Sequence, residues 1–163
     1  MTQPTIRFKR LHKDAIIPEY KSADASGTDL CWDGRVGPSD WKPHGLNMCD
    51  IFESLDVDLA PMLYCTGLAV EIPEGYEGQI RPRSSLGKHG VHVFFGTIDA
   101  DYRGELKVRM MLLGGEDGDI YTLTRGDRIA QLVIAPVARC QIQVVDDLTP
   151  TVRGGAGFGS TGR

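Results

Sequence analysis

The stretch GLAVEIPEGYEGQIR, residues 67–81, contains the pattern that decides the fold class. An apolar, partly β-branched run at 67–72 is followed by a Pro-Glu-Gly turn at 73–75 and a second run at 78–81. Short apolar runs bounded by glycine and proline are typical of β-strands joined by turns. The stretch therefore predicts two strands separated by a tight turn.

Similar runs recur along the chain, at residues 5–8, 106–113, 120–123, 129–135 and 140–145. Most of the 20 glycines and 9 prolines lie between these runs as turn residues. Seven or more short strands without regular helices between them predict an all-β sandwich, jelly roll or barrel. At most two short helices are expected, from an i, i+3, i+4 pattern within residues 46–55 and from one turn at residues 84–89.

Length and charge exclude several classes of function. A chain of 163 residues fits one domain. Its 18 Lys and Arg against 22 Asp and Glu give a net charge of −4, so neither nucleic acid nor a membrane is an expected partner. Residues 1–8 lack the apolar stretch of a signal peptide, and no apolar run is long enough to cross a bilayer. The expected compartment is therefore the cytoplasm.

Cysteine is spread over the chain, at Cys31, Cys49, Cys65 and Cys140. These positions form no C-x-x-C pair, so a zinc site of clustered cysteines is not expected. We expect the thiols to be reduced and buried. His89 and His92 form a pair that is more typical of a solvated turn than of a metal site.

Two segments have the residue types that bind anions or activate water. Residues 81–88, RPRSSLGK, contain three cations and two hydroxyls, and two interpretations stay open: a phosphate-binding turn or a solvated basic loop. Residues 96–105, GTIDADYRGE, precede a strong strand, where Asp and Gly usually only turn the chain. An Asp next to a phosphate site could instead deprotonate a water, and an aromatic at this corner could pack against a sugar.

The last eleven residues, RGGAGFGSTGR, contain five glycines and one aromatic. Glycine loses the most backbone entropy on ordering, so no packed strand or helix is expected here. Two interpretations stay open. The segment is either a frayed terminus or a lid whose backbone N–H groups, arginines and phenyl ring close over a ligand.

Five ordered motifs together resemble the trimeric dUTPase family. They are ASGTDL at 25–30, RPRSSLG at 81–87, GTIDADYRGE at 96–105, RGDRIAQL at 125–132 and the glycine-rich tail at 153–162. Any one motif would be weak, but their shared order makes the resemblance specific. It implies a jelly-roll-like β barrel over residues 1–152 and a mobile C-terminal lid over residues 153–163. It also implies a homotrimer with active sites at the subunit contacts.

The same resemblance implies the reaction. The substrate would be dUTP, hydrolysed to dUMP and pyrophosphate by attack of water at the α-phosphorus, with Mg²⁺ as cofactor. Such an enzyme keeps uracil out of DNA and supplies dUMP for thymidylate synthesis. The resemblance assigns activation of the water to Asp99. Arg83 would hold the site together through Asp29, which would also contact Mg²⁺ through water in an outer shell.

The resemblance also assigns the substrate contacts. Tyr102 would lie under the deoxyribose and leave no space for a 2′-hydroxyl, and Phe158 would cover the uracil. The backbone around Gly96, Thr97 and Ile98 would pair with the uracil edge. The remaining contacts, mostly to the phosphates, are assigned to Ser84, Ser85, Gly87, Gln131, Arg153, Gly159, Ser160 and Thr161. The charged residues expected to be structural are Asp101, Arg103, Glu105, Asp127 and Arg128.

Three departures from the family pattern keep alternatives open. Ala156 stands where the tail usually has glycine, and Phe94 and Phe95 precede Gly96 where smaller or polar residues are expected. Residues 32–55 are longer than the family needs, and this insertion could bind a protein partner. The alternatives are a dCTP deaminase of the same superfamily and a non-enzymatic, nucleotide- or protein-binding oligomer.

Overall fold

Two antiparallel sheets organise the part of the chain that the structure, a computed structural model, describes: residues 3–37, 61–112 and 121–156. The strands are β1 Arg7–Arg10, β2 Thr28–Cys31, β3 Val36–Gly37, β4 Met62–Glu71, β5 Tyr76–Arg81, β6 Val91–Val93, β7 Gly96–Ile98, β8 Glu105–Leu112 and β9 Arg128–Pro136. One helical turn, α1, spans Ser84–Gly87. Within these residues no helix has the length and apolarity needed to cross a bilayer.

The strand order in the first sheet is β1-β4-β8-β6, with β3 also paired to β4. In the second sheet the order is β2-β9-β5-β7. Because side chains alternate between the two faces of a strand, each sheet directs an apolar row inward. The fully buried members come from both sheets: Leu30, Leu68, Val70, Leu106, Val108, Met110, Ile129 and Leu132. The expected all-β fold is confirmed.

Five of the predicted strands are confirmed. The runs at 67–72, 78–81, 106–113 and 129–135 correspond to β4, β5, β8 and β9, and the run at 5–8 overlaps β1. The helical turn expected within residues 84–89 is α1. The possible helix within residues 46–55 lies outside the described residues.

Two strand predictions are wrong for the residues described. Residues 121–123 join no sheet, and Tyr121 instead stacks on His89 with ring centroids 5.0 Å apart. Residues 140–145 are also unpaired and exposed, with Ile142 at 96 % and Val144 at 94 % exposure. Their alternating pattern suits a strand, but a strand needs a neighbour for its backbone hydrogen bonds, and the described residues supply none there.

The cysteine prediction is confirmed in part. Cys31 and Cys65 are free and buried, whereas Cys140 is free and exposed. Cys49 lies outside the described residues. The prediction is wrong for Cys140 because this residue belongs to the exposed segment that follows β9.

A bulge in β4 shapes the first sheet. The β4–β8 register shifts between Cys65 and Ala69, and Gly67 lies inside the shift with a φ of +69°. A Cβ at this position would come within 2.9 Å of both the Ala15 methyl and the Asp33 carboxylate. Glycine is therefore required both for the left-handed backbone and for the close approach of three chain segments.

Candidate active site

A row of polar side chains crosses the outer face of the second sheet. Asp29 of β2 lies opposite Gln131 of β9, and Gln131 lies opposite Arg81 of β5. Directly opposed residues in a sheet project to the same face. Strand register therefore brings together residues from the first, fourth and second motifs, which are up to 102 positions apart in the sequence (131 − 29).

The Asp29 carboxylate is shared by two guanidinium groups. Oδ1 lies 2.9 Å from Arg83 Nε, and Oδ2 lies 3.1 Å from Arg128 Nη1. Arg83 Nη1 also donates to the Arg128 carbonyl oxygen at 3.0 Å. The contact expected between Arg83 and Asp29 is present. The second partner, Arg128, was expected only to be structural, and its role depends on a register that the sequence does not reveal.

The turn at residues 82–87, the serine turn, is held in place by two contacts. Gln131 Nε2 donates to the Pro82 carbonyl oxygen at 2.9 Å, and the Leu86 side chain is buried. Because Leu86 anchors α1 in the core, Ser84 and Ser85 at its start face the solvent. Gly87 is exposed as well, and a Cβ there would meet no atom within 4 Å. The result is an exposed turn with two hydroxyl groups beside the Asp29 cluster.

The third motif forms a braced loop after β7. The Tyr102 N–H donates to the Asp99 carbonyl at 3.1 Å, and Tyr102 Oη donates to the Glu105 carbonyl at 3.0 Å. Arg103 Nη1 donates to the Ala100 carbonyl at 2.6 Å. These bonds leave the Asp99 carboxylate exposed and Tyr102 42 % exposed.

Strand β7 is the edge of the second sheet, paired with β5 on one side only. Gly96 lies opposite Ile80, and Ile98 lies opposite Gly78. In the described chain no strand pairs with the other side of β7, so that side can offer backbone donors and acceptors to a planar ligand. A hollow of about 340 Å³ lies here, lined by Ile80, Phe94, Phe95, Gly96, Lys107 and Arg109.

Among the described residues, the sequence-predicted site residues fall into two separate groups. Asp99 follows Ile98, which pairs near the start of β5, whereas the serine turn follows Arg81 at the end of β5. Four residue steps along the strand, from Glu77 to Arg81, separate these ends by about 13 Å at ~3.3 Å per residue. Asp99 and the exposed hydroxyls therefore lie at opposite ends of the same strand.

The two ends also differ in charge. Asp99 lines a cleft of about 650 Å³ that has five carboxylates and two guanidinium groups among its described residues: Glu71, Glu74, Glu77, Asp99, Asp101, Arg103 and Arg139. This excess of negative charge makes the cleft by itself unsuited to holding a triphosphate. The serine turn, with Arg81, Arg83 and Lys88 around it, is the favourable end for phosphate.

Comparison with known proteins identifies the family. A family model described as dUTPase matches residues 51–162, more than half of the chain. A deoxyuridine 5′-triphosphate nucleotidohydrolase from Anaeromyxobacter sp. (strain Fw109-5) is 56 % identical, covering 90 % of this chain and 88 % of the relative. The chain belongs to the dUTPase family. The family, the fold class and the enzyme class expected from the five motifs are thereby confirmed.

Further dUTPases match over almost their full length. The deoxyuridine 5′-triphosphate nucleotidohydrolase of Syntrophotalea carbinolica is 45 % identical over 97 % of both chains. The dUTPase of Staphylococcus bacteriophage 80alpha, solved with dUPNHPP, superimposes with a TM-score of 0.75 at 26 % identity. That match covers 98 % of this chain and 99 % of the phage chain.

The residues of this dUTPase fit a metal ion carried by its substrate better than one held by the protein. Both Asp29 oxygens are already bound by arginines, which suits a contact through water. Within the described residues, no three His, Cys, Asp or Glu side chains are grouped to hold a metal ion. Mg²⁺ usually keeps several waters and binds largely through phosphate oxygens.

The tail of this dUTPase is described as far as residue 156. Arg153 Nε donates to the Ala156 carbonyl at 2.9 Å, so the side chain folds back on its own turn. The assigned tail residues Phe158, Gly159, Ser160 and Thr161 lie outside the described residues. Within the described part of the tail, residues 153–156, the hydrogen bonds are local to the turn at residues 151–156.

The buried thiols do not provide a nucleophile for this dUTPase. Burial raises the pKa of Cys31, and the neighbouring Asp29 charge raises it further. Burial also raises the pKa of Cys65. A thiol kept protonated and inaccessible is a poor nucleophile, so neither residue is suited to covalent catalysis.

We predict that Asp29→Asn lowers the free energy of unfolding by about 1–3 kcal/mol, because two guanidinium groups lose their shared carboxylate charge. Urea unfolding measures the change. The matched control is Glu19→Gln, which breaks an exposed pair with Lys21 at 3.0 Å and should cost less than about 1 kcal/mol. Equal effects of the two substitutions would contradict a structural role for the Asp29 cluster.

Proposed function

We propose that this dUTPase hydrolyses dUTP to dUMP and pyrophosphate by attack of water on the α-phosphorus. The observation that carries the proposal is the Asp29 cluster, which joins Arg83 and Arg128 beneath two exposed serines. A basic turn with two exposed hydroxyls is suited to the negative oxygens of a triphosphate. The relatives' names and the phage enzyme solved with dUPNHPP support dUTP as the substrate.

In the proposed reaction, Asp99 accepts a proton from the attacking water. The water oxygen forms a bond to the α-phosphorus, and the bond from this phosphorus to the bridging oxygen breaks, releasing pyrophosphate. Asp99 is suited to the role of general base because its carboxylate is exposed, while its backbone carbonyl is held by the Tyr102 N–H. A positioned general base typically contributes about 10²–10⁴ in rate.

The phosphate contacts would come from the serine turn and its supports. Ser84 and Ser85 would donate hydroxyl bonds, Gly87 would allow close backbone approach, and Gln131 would contact a phosphate oxygen or position the turn through Pro82. Mg²⁺ would lie on the phosphates with Asp29 in its outer shell, and when bound it would neutralise part of the phosphate charge. Arg83 would keep Asp29 in place for this contact.

Selection of the nucleoside would occur at the hairpin of the third motif. The open side of β7, at Gly96, Thr97 and Ile98, would pair with the uracil edge through backbone donors and acceptors. Cytosine would leave a buried polar group unpaired, at a cost of about 1–3 kcal/mol. Tyr102, fixed by its hydroxyl, would fill the space that a ribose 2′-hydroxyl needs.

The active site would be completed by a second copy of the chain, in a homotrimer. This proposal is supported by the position of Asp99 and the serine turn at opposite ends of β5 in the described chain. The exposed segment after β9 supports assembly, because Ile142, Val144 and Leu148 are at least 86 % exposed and alternate like strand residues. A second copy would supply the neighbour that this segment lacks.

The C-terminal residues 153–163 would close over the bound nucleotide. Phe158 would stack on the uracil, and Arg153, Ser160 and Thr161 would reach the distal phosphates, with Gly159 allowing close approach. Eleven residues can extend about 36 Å at ~3.3 Å each, enough to reach a neighbouring subunit. Closure would exclude water and strengthen the electrostatic interactions around the α-phosphorus.

The biological setting follows from the reaction. Removal of dUTP keeps uracil out of DNA, and the product dUMP is the substrate for thymidylate synthesis. The cytoplasm stays the predicted compartment. A protein partner for the insertion at residues 32–55 also stays a prediction, because residues 38–60 lie outside the described residues.

We predict pyrophosphate release from dUTP in strong preference to dCTP, dTTP and UTP, with stimulation by Mg²⁺. Asp99→Asn should lower kcat by about 10²–10⁴ while nucleotide binding persists, because an amide keeps the shape but cannot accept the proton. Pyrophosphate and ammonia assays, together with nucleotide titration, measure these effects. Ammonia release from dCTP would instead identify a deaminase, and near-normal turnover by Asp99→Asn would exclude Asp99 as the base.

We predict that two inactive variants restore activity when they assemble together. Asp99→Asn would be mixed with a Ser84→Ala, Ser85→Ala variant, and the two refolded from urea at equal amounts. If each site combines Asp99 of one chain with the serines of another, about a quarter of the sites in random trimers are intact. Light scattering and pyrophosphate release give the mass and the recovery.

The control for this mixing experiment combines Asp99→Asn with the triple variant that also contains both serine substitutions. This mixture contains no intact Asp99 and should remain inactive. An active monomer, or no recovery in the first mixture despite trimer formation, would contradict the shared site.

We predict that deletion of residues 153–163 leaves the trimer and its melting temperature almost unchanged but strongly lowers kcat/KM. The reason is that the segment would contact nucleotide rather than the protein core. Loss of base stacking alone is worth roughly 1–3 kcal/mol. Deletion of residues 162–163, which have no assigned contact, is the matched control. Full kcat/KM in the longer deletion would identify the tail as a frayed end.

A further inference from the structure

A second ion network joins Asp33 and Arg35, which lie outside all five motifs, to Glu105, the last residue of the third motif. Asp33 Oδ2 accepts from Arg35 Nε at 2.9 Å and also from Arg35 Nη2. The same Nη2 lies 2.5 Å from Glu105 Oε1. One guanidinium group therefore bridges two carboxylates that are 72 positions apart in the sequence (105 − 33).

The Asp33 side chain is fully buried, which makes Arg35 its necessary partner. An unpaired buried carboxylate is strongly unfavourable. The backbone reinforces the pairing, because the Asp33 N–H donates to the Cys65 carbonyl and the Cys65 N–H donates to the Arg35 carbonyl, both at 3.0 Å. The hydrogen bond with Asp33 raises the pKa of Arg35, so the guanidinium remains charged.

Glu105 connects this ion network to the start of β8. Its Oε1 also accepts from the Gly67 N–H at 3.0 Å, inside the β4 bulge. The next residue, Leu106, accepts at its carbonyl from Thr66 Oγ1 at 2.7 Å. The Glu105 side chain is only 17 % exposed, so it is held on one side by the bulge and on the other by Arg35.

The backbone of Glu105 in turn holds Tyr102. Tyr102 Oη donates to the Glu105 carbonyl at 3.0 Å. The ring lies directly over Gly104, where any Cβ would overlap it. The Glu105 carbonyl therefore sets the position of the Tyr102 hydroxyl and, through it, of the ring. Gly104 leaves the space that the ring occupies.

We propose that Arg35 and Glu105 are positioning residues for sugar selection, acting through the Glu105 carbonyl that fixes the Tyr102 hydroxyl. The inference rests on the proposed function, in which Tyr102 excludes the 2′-hydroxyl. When the network is intact, the ring is held where a ribose would collide with it. When Glu105 is released, the ring gains freedom to move aside, and UTP is accepted more readily.

The discriminating measurement is the ratio of kcat/KM for dUTP to kcat/KM for UTP. Glu105→Gln keeps the shape but loses the charge that faces Arg35, and Tyr102→Phe removes only the hydroxyl. Each substitution should lower the ratio by about 3- to 10-fold, the size expected for one hydrogen bond. Because both act on the same contact, the double variant should lower the ratio no further than either single variant.

Two more variants complete the set. Arg35→Lys keeps the charge but loses the fork that bridges two carboxylates, so it should also lower the ratio. Glu19→Gln, which breaks an exposed pair far from the third motif in sequence, should leave the ratio unchanged. Thermal unfolding identifies any variant that fails to fold. In that case Tyr102→Phe, which leaves the ion network intact, decides the outcome.

The outcomes separate this inference from the proposed function. If Tyr102→Ala leaves the ratio unchanged, the sugar is selected elsewhere, and both the proposed role of Tyr102 and this inference are overturned. If Tyr102→Ala lowers the ratio but Glu105→Gln and Tyr102→Phe do not, only the inference is overturned. Independent, multiplicative losses in the double variant would also overturn it, because they would place the two groups on separate contacts.

Discussion

The arrangement of the candidate site depends on the ion pairs of the Asp29 carboxylate. It binds Arg83 through one oxygen and Arg128 through the other, and it is mostly buried between them. A single carboxylate thereby ties β2 to β9 and to the turn that follows β5. Charge-assisted bonds of this kind are stronger and more directional than neutral ones, so they can fix an exposed turn that has little apolar surface of its own. The buried Leu86 supplies the remaining anchor.

The second constraint is the opposite charge at the two ends of β5. Carboxylates dominate the end next to Asp99, whereas arginines and Lys88 surround the serine turn. In the proposed function, the base that accepts a proton and the turn that binds phosphate would benefit from different electrostatic surroundings, so their separation within one chain would suit both. In the proposed function, the two parts would meet between copies of the chain. Assembly of the chains would therefore be part of the proposed mechanism.

Local sequence pattern predicted five of the strands, but it also predicted two that the described chain does not form. The runs that became β4, β5, β8 and β9 contain both the apolar faces and the turn residues that strands need. Residues 140–145 have the same pattern but form no strand in the described chain, because strand formation depends on a pairing partner. Propensity describes a segment by itself, whereas its state depends on what lies beside it.

The sequence by itself determined the family, the all-β class and the residue types of the candidate site, because ordered motifs and alternating runs are local and readable. It also suggested that Arg83 meets Asp29. Only the tertiary structure decided that Arg128 shares Asp29 and that Arg35 bridges to Glu105. These contacts join residues 70 or more positions apart, and they depend on strand register and on the bulge at Gly67, which no local pattern specifies.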